Sequence, residues 1–407
     1  MRPELSERSF IAFAGGDWWY HNRAHSDFQL LTRLARDHKV LLVNSIGMRM
    51  PLPGKTSQPF QKIWRKLKSV MRMLRRPVPE LPLLYVFSPL PFPLYRTATG
   101  RRFAAWFVRQ QVRLAANWVG IRDPVIFLTP PTAWPVAKAM HAGSVVYNRS
   151  DKHSSFQEAD RAYIRQLEQE LLEGADLVLY ASETLMQSEA ARTRGRARHL
   201  DHGVEVELFR FDPPAREPQD LARIPKPRIG FFGGLRSFMV DFDLLAHVAR
   251  SLPDAQLVLI GEAEDQTDRL VGIPNLHLLG HRDYERIPSY GMHFDVALLP
   301  YMNNEWIRCC NPIKLKEYLA LGLSVVATEF PEAHRYEAHI RIAPDRDAFI
   351  AAVRACLENP LDHEAREQRR ALIADNTWDA ATRRLLDLLA ETEGRDETRG
   401  GSSPGPL

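Results

Sequence analysis

Short apolar runs without alternation recur along the chain at 9–14, 40–44, 83–87, 125–128, 144–147 and 177–181, and again at 229–232, 256–260, 277–279, 296–299, 325–327 and 340–342. Runs apolar at every position suit strands buried on both faces, as in a parallel sheet covered by helices. Helical periodicity fills the intervals, as at 24–37 and 244–251. The alternation predicts an α/β fold of two doubly wound, Rossmann-like domains facing a cleft, and 407 residues are enough for both. Residues 211–227 are rich in Pro and charge and read as a linker. That sets an N-terminal domain at 1–212, a C-terminal domain at 226–375, a last helix at 376–392 and a disordered tail at 393–407.

The best-marked helix begins at Asn311, Pro312 and Ile313 and stops at Gly322. Asn is a preferred cap, Pro a preferred first helical residue and Gly a preferred stop. The N-terminus of such a helix attracts anions, because its first N–H groups lack intrahelical partners and the macrodipole is positive there. Lys314 adds a full charge, and Glu317 lies roughly 7 Å beyond the helix start, a reach comparable to that from a diphosphate to its ribose. The bland alternative is an ordinary α/β helix with Glu317 in solvent.

Other stretches carry weaker signals. Gly233 and Gly234 follow the strand at 229–232, where a tight turn lets phosphates approach, and Arg236 stands just beyond. The glycines do not form a GxGxxG, so a nicotinamide dinucleotide is poorly supported. Asp241 and Asp243 resemble a metal-binding pair but fall at the start of a helix, where acids complement the dipole, and no obligatory metal is expected. In the first domain, Gly15 and Gly16 end the first strand, and Asp151 and His153 lie beyond the strand ending at Tyr147, in a position to orient an acceptor hydroxyl or take its proton. The segment 60–76 contains no acid and reads as one amphipathic helix. Its stripe of Ile63, Leu67, Val70, Met71 and Leu74 either lies on anionic lipid, with Trp64 at the interface, or packs on the domain core.

Composition narrows the classes. With 45% hydrophobic and 26% charged residues the chain reads as globular, and a net charge of +4 does not by itself imply nucleic acid. Cys309, Cys310 and Cys356 form neither a disulfide framework nor a zinc set. The first residues lack a signal-peptide layout, and prolines break the most apolar stretch at 81–95, so a cytoplasmic protein is expected, peripheral on the inner face of the plasma membrane if the basic helix binds lipid.

These stretches together resemble a glycosyltransferase of the GT-B fold, family 4-like, similar to the bacterial enzymes of teichuronic-acid and exopolysaccharide synthesis. The resemblance rests on Ile229 to Leu235, Asp241 to Leu245, Leu257 to Gly261, His277 to Gly280, Asp295 to Pro300, Asn311 to Gly322 and Asn376 to Trp378. In the first domain it rests on Gly174 to Val178, Ser182 and Asp201 to Val204. It implies transfer of a hexose from a nucleotide-sugar co-substrate to a glycan or lipid-linked acceptor in cell-surface polysaccharide synthesis, with retention, without metal or other cofactor and without nucleic acid. The last helix is expected to cross back onto the first domain. Glu317 matches the ribose-binding glutamate, Asn311 to Ile313 the helix start beneath the diphosphate, and Gly15, Gly16, Gly233 and Gly234 the loop glycines.

Two departures stand out. The family's other glutamate, on the donor sugar, is replaced by Cys309, so either Glu305 compensates or the sugar differs. The arginine after the first loop glycine is replaced by Gly234, leaving Arg236, Arg308 and Lys314 as substitutes by proximity. A GT-B epimerase and a non-catalytic nucleotide-sugar-binding or membrane-surface protein are the rival readings.

Overall fold

A computed structural model of the chain describes residues 8–20, 25–46, 59–92, 97–155, 160–209, 216–263 and 267–400. It divides into two units, Met1–Asp201 with Trp378–Leu407, and His202–Thr377. Each is a Rossmann-like α/β unit built on a parallel sheet.

The first unit holds β1 (Ser9–Phe13), β2 (Lys39–Val43), β3 (Leu74–Arg75), β4 (Leu84–Phe87), β5 (Val125–Leu128), β6 (Ser144–Arg149), β7 (Leu177–Tyr180) and β8 (Ala197–His199). Their order is β3-β4-β2-β1-β5-β6-β7-β8. All neighbours are parallel except β3, which pairs antiparallel with β4. The strands β4, β5 and β7 are buried at every position, as their unbroken apolar runs require. Three helices matter below: α1 (Ser26–Leu34), α2 (Pro59–Met71) and α3 (Ala98–Val119).

The second unit is a six-stranded, wholly parallel sheet of β9 (Arg228–Phe232), β10 (Gln256–Ile260), β11 (Leu276–Gly280), β12 (Val296–Leu299), β13 (Ser324–Thr328) and β14 (Arg341–Ala343). Its order is β11-β10-β9-β12-β13-β14. The chain winds outward one way from β9 and then the other way from β12, so the crevice at a topological switch point opens at the carboxyl ends of these two strands. In the first unit the same reversal falls between β1 and β5.

The structure differs from several of these expectations. The stretch 216–227 is not a free linker: Leu221 and Ile224 are buried, Asp220 accepts from Arg282 at 2.6 Å and from Tyr290 at 3.0 Å, and Arg228 pairs with Glu217. Those anchors bind it to the second unit, so the boundary falls after Asp201, while 210–215 lie outside the described residues. The segment 60–76 is not one helix. It is helical to Met71, turns at Met73 (φ 46°) and enters β3. Nor is the stripe packed wholly on the core: Leu67 and Met71 are exposed, Val70 and Leu74 are half-buried, the side chain of Ile63 lies outside the described residues, and the side held against the unit carries Ser69, bonded to Ser88 at 3.0 Å. Lastly, the C-terminal helix spans Trp378–Gly400, past the expected start of the tail, and 401–407 lie outside the described residues. It belongs to the first unit, where Trp378, Leu385, Leu388 and Leu389 are buried and Asp379 meets Arg36 of the chain after α1 at 2.5 Å.

The marked helix spans Ile313–Ala320 and is preceded by Pro312, not Asn311, at the cap. Pro312 has no side-chain acceptor for the first N–H groups, and Asn311 is itself buried. The stop is as the sequence suggests. Gly322 follows the terminal Leu321, with Gly322 N–H bonded to Leu319 O at 2.9 Å and Leu323 N–H to Tyr318 O at 3.1 Å, the paired bonds of a Schellman end.

Candidate active site

In the second unit, the turn after β9 and the turn after β10 meet backbone to backbone. Gly233 N–H donates to Ile260 O at 2.8 Å, and a Cβ on Gly261 would stand 1.8 Å from Gly233 O. Gly233 (φ +135°) and Gly261 (φ +154°) adopt backbone conformations that a side chain disfavours, and a Cβ on Gly233 would meet Lys314 Nζ at 2.6 Å. Removing both side chains leaves room for that ammonium directly beside the turn. Gly234 is exposed, with open space about it.

Lys314 comes from the first turn of the helix Ile313–Ala320. Its Nζ stands over the rings of Phe231 and Tyr301, 5.2 and 5.9 Å from their centroids, and no ion pair closes on it among the described residues. Enclosure pushes its pKa below the usual lysine value, against the pull of Glu317 and Cys310. One turn further, Glu317 is buried and accepts from Tyr284 Oη at 2.9 Å. Burial raises its carboxyl to about 7, with the Tyr284 hydrogen bond and the Lys314 charge acting the other way. The solvent-exposed alternative for Glu317 is therefore excluded. Tyr318 locks the helix to the sheet, its Oη accepting from Phe232 N–H at 3.2 Å, and Lys316 donates to His202 O at 3.0 Å.

The remaining cations and Glu305 lie on the loops that follow β9 and β12. These loops are stitched together by Met302 N–H to Met239 O at 2.9 Å and by the edge-to-face rings of Phe238 and Trp306. Glu305 and Arg308 bound a single helical turn capped by Asn304; both are exposed, and Arg308 donates to Asn303 at 2.8 Å. Arg236 is exposed as well, and Cys309 ends that turn. Asp241 caps the helix Phe242–Ser251 by accepting from Leu244 N–H at 2.8 Å, and Asp243 pairs with Arg269 at 2.8 Å. Among the described residues no three His, Cys, Asp or Glu side chains gather as a metal set.

In the first unit, β6 runs two residues past the expected Tyr147, which takes Arg149 into the core with no exposed surface. Its guanidinium meets Glu168 at 2.5 Å and Glu189 at 3.0 Å, and donates to the carbonyl of Asp151 at 2.8 Å. This network fixes the loop that carries both proposed acceptor residues. Burial raises the Asp151 carboxyl to about 6, opposed by Arg149. Burial, together with the Arg149 charge, drops His153 to about 3, so its imidazole is neutral and too weakly basic to collect a proton at neutral pH. Asp151 alone is suited to that task. Gly15 lies close by: its N–H donates to Asp27 at 2.8 Å, and the Asp27 charge is among those that raise the Asp151 carboxyl. Gly16 is buried beside it and accepts from Ser45 N–H at 3.1 Å. Asp27 was not legible as a site residue, since an acid in the first turn of α1 looks like an ordinary dipole partner.

Residues 226–359 match the family described as Glycosyl transferases group 1. The second unit is a group 1 glycosyltransferase domain. The chain is 24% identical over 273 residues to TuaH of Bacillus subtilis (strain 168), assigned to teichuronic acid biosynthesis as a glycosyltransferase; the match covers 62% of this chain and 68% of TuaH. Sucrose-phosphate synthase from Thermosynechococcus elongatus superposes with a TM-score of 0.68 at 16% identity, over 96% of this chain and 100% of that one. HepE of Anabaena, solved in complex with UDP-glucose, gives 0.57 at 16% identity over 96% and 99%. The fold is GT-B, and the protein is a glycosyltransferase.

Two outcomes follow from the buried charges. Replacing Arg149 by Met leaves Glu168 and Glu189 uncompensated and should lower stability by about 3–5 kcal/mol; a denaturation midpoint within experimental error of the parent would refute the network. For Glu317, the folded protein holds a proton between its ordinary pKa of 4.5 and about 7 that the unfolded chain has released. Its contribution is thus full below 4.5 and is lost as pH rises through about 7. Glu317→Gln, neutral throughout, should gain on the ligand-free parent over that window, by up to about 3 kcal/mol at pH 8. Parallel melting curves for parent and variant from pH 4 to 8 would contradict the buried carboxyl.

Proposed function

We propose that this glycosyltransferase moves a sugar from a nucleoside-diphosphate sugar to a hydroxyl of a glycan or lipid-linked acceptor, with retention and without a metal, in cell-surface polysaccharide synthesis. The observation that carries the donor assignment is the pair Lys314 and Glu317, enclosed one helical turn apart beside a glycine turn at the switch point of the second unit. A diphosphate supplies the anion that Lys314 lacks, and ribose hydroxyls supply donors to Glu317 that favour its charged form. Both charges become less costly once the ligand is in place.

As the bond to the sugar breaks, charge grows on the departing diphosphate. Lys314 and the N–H groups at the start of the helix Ile313–Ala320 are fixed in advance to stabilise it, an electrostatic contribution that needs no reorganisation. Arg236 and Arg308, on exposed loops, add charge on the phosphate side. Asn311, Pro312 and Ile313 shape the backbone beneath the diphosphate, while Glu305 is the carboxylate assigned to the donor sugar in place of Cys309. In the first unit Asp151, with a carboxyl near 6, takes the acceptor hydroxyl, and His153 serves as a neutral wall. The likeness to TuaH supports a polysaccharide acceptor, and the UDP-glucose held by HepE supports a nucleotide-sugar donor.

Glu317→Gln should weaken donor binding by more than about tenfold, equivalent to about 1.4 kcal/mol, in a protein that still melts cooperatively. Titration calorimetry with candidate nucleotide sugars measures this, and unchanged affinity in the folded variant removes the assignment. Turnover should survive EDTA, because the acids of the Asp241 and Asp243 pair are engaged in capping and in an ion pair. Activity lost to chelation and restored by magnesium or manganese would overturn the metal-free scheme.

A further inference from the structure

The helix α3 carries its apolar side chains the wrong way round for a helix that serves only its own core. The stripe facing the sheet is made of small residues, Ala104, Val108, Val112, Ala115, Ala116 and Val119, all buried. The large ones face out: Phe103 is 43% exposed, Trp106 46%, Leu114 70% and Trp118 75%. At 3.6 residues per turn these four lie in one outward strip, and Arg102, Arg109 and Arg113 follow along a single border of it. The helix contains four arginines and no Asp or Glu.

The strip continues beyond α3. Phe92 packs edge-on against Phe103 and Phe107 at 4.9 and 5.7 Å, and the backbone of exposed Leu90 is clamped to Gln111 by two hydrogen bonds of 2.9 and 3.1 Å. Two residues earlier, Ser88 N–H bonds Met73 O at 3.0 Å, at the end of the turn that follows α2. On α2, Trp64, Leu67 and Met71 recur at the spacing of one helix face and are 55%, 48% and 63% exposed. That helix also lacks any acid, and Lys68 stands over the Trp64 ring at 5.3 Å. Segment 88–92 thus ties together two helices that each carry an outward apolar face bordered by cations.

We propose that this surface of α2, the 88–92 segment and α3 is a docking face for an anionic lipid bilayer, with Phe103, Trp106, Leu114 and Trp118 seated at the headgroup and acyl boundary. The large side chains supply apolar burial and interfacial tryptophans, and the arginine border supplies attraction to anionic headgroups. A protein partner would meet the same apolar strip, but the absence of any acid in either helix complements a uniformly negative surface. No helix among the described residues is long and apolar enough to cross a membrane, so the attachment is peripheral. It places the first unit, to which the acceptor residue Asp151 belongs, at a surface where lipid-linked acceptors reside, while requiring nothing of the donor site.

The test is co-sedimentation of the full chain with phosphatidylcholine vesicles, with and without phosphatidylglycerol. The parent should sediment with the anionic vesicles, less with the neutral ones, and less again at high salt. The triple variant Trp106→Ser, Leu114→Ser, Trp118→Ser and the triple variant Arg102→Gln, Arg109→Gln, Arg113→Gln should each lose binding by at least about tenfold while melting as the parent does, since all six side chains lie outside both candidate sites. A parent that stays in solution with anionic vesicles overturns the proposal, as does a tryptophan variant that sediments as the parent does. Should sedimentation velocity reveal a dimer that the tryptophan variant dissolves, in a protein indifferent to vesicles, the strip is an interface between copies and the lipid face is wrong. None of these results depends on donor binding, which calorimetry tests separately.

Discussion

The second unit is arranged around two charged side chains that are kept from water on successive turns of one short helix. An ammonium and a carboxylate so enclosed, without closing on each other, are costly to maintain. Lys314 survives because two aromatic faces and a turn stripped of side chains receive it; Glu317 survives by holding a proton near neutrality and by the Tyr284 hydroxyl. Much of the local architecture serves these accommodations, including the Tyr318 bond to the end of β9 and the burial of Lys316 against the His202 carbonyl. Charges fixed in advance at such expense are the kind of arrangement that electrostatic preorganisation requires.

The first unit solves a related problem in the opposite manner. Arg149 is wholly buried but wholly partnered, two glutamates and a tyrosine closing around it, and its spare donor reaches the Asp151 carbonyl. Here the buried charge is a structural rivet, and the residue proposed for the acceptor, Asp151, is a neighbour whose backbone it holds. The same loop shows how one cation separates two titrations: burial lifts Asp151 towards neutrality while burial and the Arg149 charge together suppress His153.

Much of this was legible in the sequence. Unbroken apolar runs marked twelve of the strands, and the Pro312 to Gly322 punctuation marked the helix that carries Lys314 and Glu317, because strand burial and helix ends are local consequences of residue type. The failures have nonlocal causes. Asn311 looks like a cap but is drawn into the interior, shifting the cap to Pro312. The 216–227 stretch looks like a linker because its polar residues outnumber its anchors, yet Leu221, Ile224 and Asp220 have partners far along the chain. Arg149 and Asp27 acquire meaning only when strands and helices distant in sequence bring Glu168, Glu189 and Gly15 to them. The outward face of α3 escaped notice for a related reason: a helix apolar on both sides has no clear periodic contrast.

The two-residue strand β3 has a further consequence. A parallel sheet ending at β4 would leave a row of unpaired backbone groups on which another chain could add a strand. The antiparallel pairing of Leu74 and Arg75 covers that margin and goes no further, since Pro77 follows and cannot donate to a ladder. Arg75 is exposed, and Arg76 turns back to bond Tyr85 Oη at 2.6 Å, so positive charge guards the rim. At the opposite margin β8 is only three residues long and contains Arg198. Blunt, cationic sheet margins discourage polymerisation through strand addition, a protection of value to any protein that exposes as much aromatic surface as this one does.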